Sequence, residues 1–265
     1  MMRWGKREGN TKRQLTISLL LAFVALASVS AVSVAWFTIA DFTKVHSMSM
    51  EITSGNNLRF DLDPHEEIDQ YVHTLRYTDI ARRVQRDLGY DLRKVPLEPV
   101  TTKDAITFTY EDGKEAAKES GVYQEFMLHF MASKDMLVHL TSKNSKGKQD
   151  GTGITSANPK LPEAMRISFT VNDKTFIYDP GMGDESKADG SVVYFGLPDG
   201  KHMVLSDKNA LFKASKDEDI PVLVHVWLEG TDASCTDEVR EAEYSITLRF
   251  EGTDMNHQSL ETEER

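Results

Sequence analysis

The chain has 265 residues, a formal net charge of −11 and one cysteine, Cys235. This length accommodates one sizeable domain beside a short terminal segment, and 40% hydrophobic residues are enough to build a packed core. The acidic charge disfavours nucleic acid as a partner, and a single cysteine excludes a framework of internal disulfides.

The first 40 residues carry the pattern of an export signal. Five basic side chains and one acidic side chain lie within residues 1–14, and the run 14–40 has no charged residue. A basic segment before an apolar one stays on the cytoplasmic side of a membrane. Small residues at 29–31 and 33–35 suit cleavage, whereas about 20 apolar residues also suffice to span a bilayer. We predict a signal peptide or a signal-anchor transmembrane helix over 1–40. The rest of the chain would then face outside the cell membrane or, after cleavage, be secreted into an extracellular matrix.

The next two segments differ in period. Residues 41–62 predict extended chain, and Leu58–Leu62 alternates cleanly between apolar and polar side chains. Asp63 and Pro64 then resemble a helix cap and a first helical position, apolar residues recur at three- and four-residue steps, and Gly89 is a natural stop. We therefore predict an amphipathic helix over about 64–89 that packs on a sheet.

The residues after this helix have the pattern of short strands. Apolar or alternating runs bounded by turn residues predict strands at 106–110, 123–131, 135–141, 165–171, 174–178, 192–197, 202–205, 221–229 and 243–250. Pro198-Asp199-Gly200 predicts a hairpin, and 142–158 predicts a loop. The sum is a mainly β fold: an antiparallel β-sandwich over 41–251 with the helix as an insertion, followed by a polar tail over 252–265.

Four pieces of the chain, in this order, resemble a group of exported proteins. They are the apolar segment that ends in Ala35-Trp36-Phe37-Thr38, residues 125–140, residues 165–169, and residues 226–250. The layout is similar to that of camelysin/TasA-like surface proteins of Gram-positive bacteria, whose signal peptides are removed by a dedicated signal peptidase. The resemblance implies a jelly-roll sandwich that polymerises by donating an N-terminal strand. For the camelysin branch it implies a metallopeptidase.

A zinc site has little support in the sequence. His65-Glu66 begins the helical motif His-Glu-x-x-His, but Asp69 stands where the second histidine is needed. His129, His139 and His225 lie in predicted strands and could face one side of a sheet as a metal site or pack singly. No Gly-x-Ser-x-Gly elbow or phosphate-binding glycine loop occurs, so we predict no catalytic residues.

Two acidic loops are the better ligand candidates. One contains Asp179, Asp184 and Glu185, and the other contains Glu229, Asp232 and Asp237. Clustered carboxylates supply the oxygen ligands that calcium takes, and extracellular calcium is abundant enough to fill weak sites. Calcium is therefore the one cofactor that these loops could hold, and solvated loops are the alternative.

We predict an exported cell-surface structural or interaction protein, such as a subunit of a biofilm matrix or fibre. An extended segment at 41–52 would complete the sheet of a neighbouring copy or of another surface protein, or would pair within its own domain. The alternatives are a camelysin-like metallopeptidase and a carbohydrate-binding module that uses Trp227 and Tyr194.

Overall fold

The computed structural model describes residues 17–22, 24, 46–54, 57–142, 151–198 and 203–260. Within these ranges the protein is mainly β, as predicted. Its strands are β1 His46–Ser54, β2 Leu58–Asp61, β3 Thr74–Arg76, β4 Pro99–Val100, β5 Gln124–Ala132, β6 Met136–Leu140, β7 Gly153–Ser156, β8 Met165–Val171, β9 Lys174–Tyr178, β10 Ser186–Asp189, β11 Val192–Phe195, β12 Ala210–Ala214, β13 Ile220–Glu229 and β14 Glu243–Thr253. Two helices lie among them, α1 Tyr77–Leu88 and α2 Leu161–Ala164.

The strands form two sheets. One has the order β12-β6-β14-β1-β3, with β7 on β14, and the other has the order β10-β11-β9-β8-β13-β5-β2, with β4 on β13. Most neighbours are antiparallel, but β1–β14, β9–β11 and β4–β13 are parallel. The sheets are therefore mixed, and the prediction of a purely antiparallel arrangement is wrong. A period of two marks a strand but does not say which way its neighbour runs.

Aromatic side chains join the two sheets. The ring of Phe250, on β14, lies 5.0 Å from that of Phe130 on β5 and 5.6 Å from that of Phe169 on β8, centroid to centroid. Alternate residues of β13 enter the same core, namely Val222, Val224, Val226 and Leu228, all fully buried. This apolar face of β13 was predicted from its alternation.

The opposite face of β13 is also covered. His225 and Trp227 point to a second, smaller core under the segment 101–123. Phe108 of that segment stacks on Tyr123 at 4.1 Å and contacts Trp227 at 5.3 Å. The predicted strand 106–110 is wrong: Thr109 makes single bridges to Thr101 and Glu115, and the segment forms no regular strand.

The predicted helix starts in the wrong place. Its stop is correct, since Gly89 adopts a left-handed φ of 82° and its N–H binds the Gln85 carbonyl. However, α1 begins at Tyr77, because the preceding residues pair with strands. Val72 exchanges two backbone hydrogen bonds of 3.0 Å with Phe60, and Leu75 lies opposite Ile52 in β3. A helix from Pro64 would lose these bonds, so tertiary pairing prevails over the local cap signal.

Three further details differ from the predicted strands. β7 lies within the predicted loop 142–158 and pairs with β14. The antiparallel partner of β11 is β10, not the segment after Pro198, and 203–206 is not a strand. β14 runs on to Thr253, and Leu260 then donates to the Gly252 carbonyl, so the tail begins by folding back on the sheet.

The predicted export segment lies mostly outside the described residues. Residues 17–22 are helical, with exposed leucine side chains. Among the described residues, no helix has both the length and the apolar character needed to cross a membrane.

Candidate functional site

β1, the described part of the segment expected to be donated, pairs within its own chain. It runs parallel to β14 from His46 opposite Glu243 to Ser54 opposite Phe250, with one register shift between Ser47 and Ser49. On its other side it pairs with the three residues of β3. Of the two alternatives that the sequence left open, pairing within the domain is therefore the arrangement in this structure.

The neighbour of β1 is a long strand of the main core, β14. β14 spans 11 residues and buries Ile246, Leu248 and Phe250 in the main core. Without β1, the β14 backbone from Glu243 to Phe250 would lose its neighbour on that side, and an open edge of this length pairs readily with another chain. Pairing with β1 therefore covers this side of β14 and leaves no open edge there.

The two predicted acidic loops meet at a buried arginine. Arg166, on β8, places Nη2 3.0 Å from Oδ2 of Asp179 and also binds Oδ2 of Asp232. The side chains of Arg166, Asp179 and Asp232 are 9%, 15% and 20% exposed. Burial raises the pKa of Asp179 above its ordinary value, although the charge of Arg166 acts in the opposite direction.

Glu229 lies near this cluster, at the end of β13. Its carboxylate accepts hydrogen bonds from Trp227 Nε1, at 3.0 Å, and from the Thr231 backbone and hydroxyl, at 3.1 and 2.6 Å. Its charge also raises the pKa of Asp179. Two of the six predicted calcium ligands, Asp179 and Asp232, thus bind one cation, Arg166, which joins the loop after β9 to the loop after β13.

The other three predicted ligands lie elsewhere. Asp184 and Glu185 are exposed in the loop before β10, and Asp237 is exposed at the start of a 3-10 turn. In the described part of the chain, no group of three or more His, Cys, Asp and Glu side chains has an arrangement that could hold a metal ion. Calcium binding by these loops stays a prediction.

The three strand histidines have separate partners. His129 Nδ1 lies 2.9 Å from Oδ2 of Asp219, and His139 is buried between Asn209 and Thr253 in the other sheet. His225 Nε2 lies 3.1 Å from Oε2 of Glu125, and its ring packs 5.2 Å from that of Phe108. The hydrogen bond from His225 lowers the pKa of Glu125. Each histidine therefore belongs to a local polar pair within its own environment.

Residues considered for other roles are buried or half-buried. Burial raises the pKa of Cys235 to about 12, so its thiol is a poor nucleophile. Trp227 is enclosed in the second core, and Tyr194 is half-buried on β11.

Arg166 is the site residue that the sequence reasoning missed. The signal was present, since a single charge inside the apolar strand 165–171 requires a buried partner of opposite charge.

Comparison with known proteins gives no further information on the candidate site. Neither family models nor curated proteins nor solved structures contain a match to this chain.

Proposed function

We propose that this protein is an exported structural subunit of a cell-surface matrix or fibre, and that its copies assemble by exchange of β1. The export-type pattern in residues 1–40 supports a location outside the cytoplasm. The observation that carries the proposal is the parallel pairing of β1, the first described strand, with β14, the last.

An exchangeable strand must be terminal in the domain and must make contacts that a second copy can reproduce. β1 meets both conditions, because it precedes every other described strand and its neighbours β14 and β3 belong to the same sheet. Transfer of β1 to the next copy would preserve each backbone hydrogen bond while linking the subunits. Such exchange is a low-cost route from monomer to assembly.

We also propose that the two sheets form a jelly-roll-like sandwich. The contacts of Phe250 with Phe130 and Phe169 support this finer description, because they bring the apolar faces of both sheets into one core. In a double-sheet architecture few strand edges are left unpaired. Exchange of β1 between copies would leave β14 and β3 paired as before.

A reversible disulfide between β1 and β14 tests the proposal. Thr53 lies opposite Arg249, and neighbouring strands are about 4.8 Å apart, within reach of a disulfide. In the variant T53C/R249C, oxidation should lock β1 to its own β14. We expect filaments by electron microscopy from the reduced full chain in mild detergent and none from the oxidised chain.

The wild-type chain under the same oxidant is the control, since its single cysteine is buried. Equal filament formation by the locked and the reduced variant would refute strand exchange, and the absence of filaments in every sample would refute the structural role.

A further inference from the structure

Charge is unevenly distributed over this acidic protein. The whole chain carries −11, yet residues 76–94, which comprise α1 and the turn after it, have six basic and three acidic side chains, a net charge of +3. Five of the basic side chains are exposed. Arg76 precedes α1, and the other four define the basic helix face: Arg82, Arg86, Arg93 and Lys94. Arg82 and Lys94 protrude furthest, at 80% and 81% exposure.

The basic helix face lies beside the β2 edge of the eight-stranded sheet. Asp63 follows β2, and its Oδ1 lies 2.7 Å from Arg83 Nη1 and 3.3 Å from Arg86 Nη2. Ile80 and Val84 bury the other side of α1 in the main core. The helix is therefore held firmly, with its arginines directed away from the core.

The opposite edge of the same sheet is acidic. β10 is the last strand there, and all four of its residues are exposed. Asp184, Glu185 and Asp189 in this region define the acidic edge. None of the three makes an ion pair with any residue that the structure describes. Two basic side chains lie nearby: Lys187 on β10, and Lys208, which lines the same cavity as Asp184 and Glu185. Six strand spacings separate the two edges, a distance of about 29 Å at about 4.8 Å each.

We infer that the basic helix face of one copy docks on the acidic edge of a second copy. The inference rests on the proposed function, because it supplies the contact that orients neighbouring subunits. Chains of net charge −11 repel one another in most orientations, and this orientation places opposite charges together. Because the two surfaces lie at opposite edges, the contact is head-to-tail and can repeat along a filament without closing.

A charge-swap experiment tests the contact. In R82E/K94E both docking surfaces become acidic, and in D184K/E185K both become basic. Neither full-length variant should associate with itself, but an equimolar mixture in mild detergent should associate, because both contacts between unlike copies are then attractive. Analytical ultracentrifugation measures this directly. For the wild type, we expect the concentration for half-maximal association to rise by roughly tenfold between 0.1 and 1 M NaCl.

The outcomes separate this inference from strand exchange. Restored association in the mixture, with or without filaments, supports the contact. Variants that associate alone as well as the wild type, or a mixture that stays monomeric, would overturn it. If filaments then still depend on a free β1, the docking inference fails while the proposed function stands. Binding of anionic lipid vesicles by the wild type without self-association would assign the basic helix face to a different partner and would also overturn the inference.

Discussion

Replacement of Arg166 by methionine should leave two carboxylates buried without their cation. Asp179 and Asp232 are 15% and 20% exposed, and the single guanidinium contacts both. Arg166 Nη1 also donates to the carbonyls of Glu163 and Met165. Removal of one partner from a buried ion pair costs about 3–5 kcal/mol, a large share of the roughly 5–15 kcal/mol that a domain has in total.

Urea unfolding of R166M and wild type at pH 7 measures this loss. Methionine keeps the apolar bulk of the arginine side chain, so the substitution mainly removes the positive charge. The triple variant R166M/D179N/D232N should recover much of the loss, because its carboxylates no longer carry charge. As a matched control, R93M removes an arginine that is 64% exposed and paired with Asp91, and it should lose far less.

The effect of R166M should also depend on pH. The pKa of Asp179 is already raised by burial, and without Arg166 its protonated form is favoured further. A carboxyl whose pKa is raised on folding stabilises the fold at low pH and loses that contribution as pH rises. The difference between R166M and wild type should therefore shrink at acidic pH. A loss at pH 7 no larger than that of R93M would refute the reasoning.

Three further substitutions test a core contact, a close backbone approach and a polar pair. Phe250→Ala should cost about 3–5 kcal/mol in urea unfolding, because it removes the ring that joins both sheets. Gly196→Ala should destabilise strongly in thermal unfolding, since its Cβ would lie 2.1 Å from the Gly183 carbonyl oxygen; an unchanged melting temperature would contradict this. The hydrogen bond from His225 lowers the pKa of Glu125 from its ordinary value of 4.5. The ionised Glu125 side chain therefore stabilises the fold above pH 4.5, and this contribution is lost as the pH falls through the lowered pKa. Denaturant titrations from pH 7 to 3 should therefore show a smaller loss for E125Q than for wild type.

The strands that build the main core could be predicted because each has a strong period of its own. β14 alternates from Glu243 to Glu251, and every second residue of β13 from Ile220 to Leu228 is aliphatic, so burial of one face of each strand follows from its period. The predicted helix start at Asp63 is wrong, because Val72 pairs instead with Phe60 and β3 pairs with β1. Local residues carry the cap signal, whereas pairing is set by strands that lie elsewhere in the sequence.

The candidate site was also only partly predictable from the sequence. The carboxylates of Asp179, Glu229 and Asp232 were predicted as parts of acidic loops, but the binding of Asp179 and Asp232 to Arg166 was not. These loops follow β9 and β13, two strands that both flank β8 in the sheet, and only the strand order brings them together. The sequence left open whether the three histidines converge on a metal or pack singly. The structure places His139 in a different sheet from His129 and His225, because β6 belongs to a different sheet from β5 and β13.

By itself, the sequence determined the mainly β class, the apolar face of each long strand and the stop of α1 at Gly89. These properties depend on periodicity and on the backbone freedom of single residues. Tertiary structure decided the parallel placement of β1 beside β14, the ion cluster around Arg166 and the separation of basic and acidic edges. Each of these depends on which distant segments become neighbours. The sequence does not show this directly, because backbone hydrogen bonds between strands are the same whichever two strands form them.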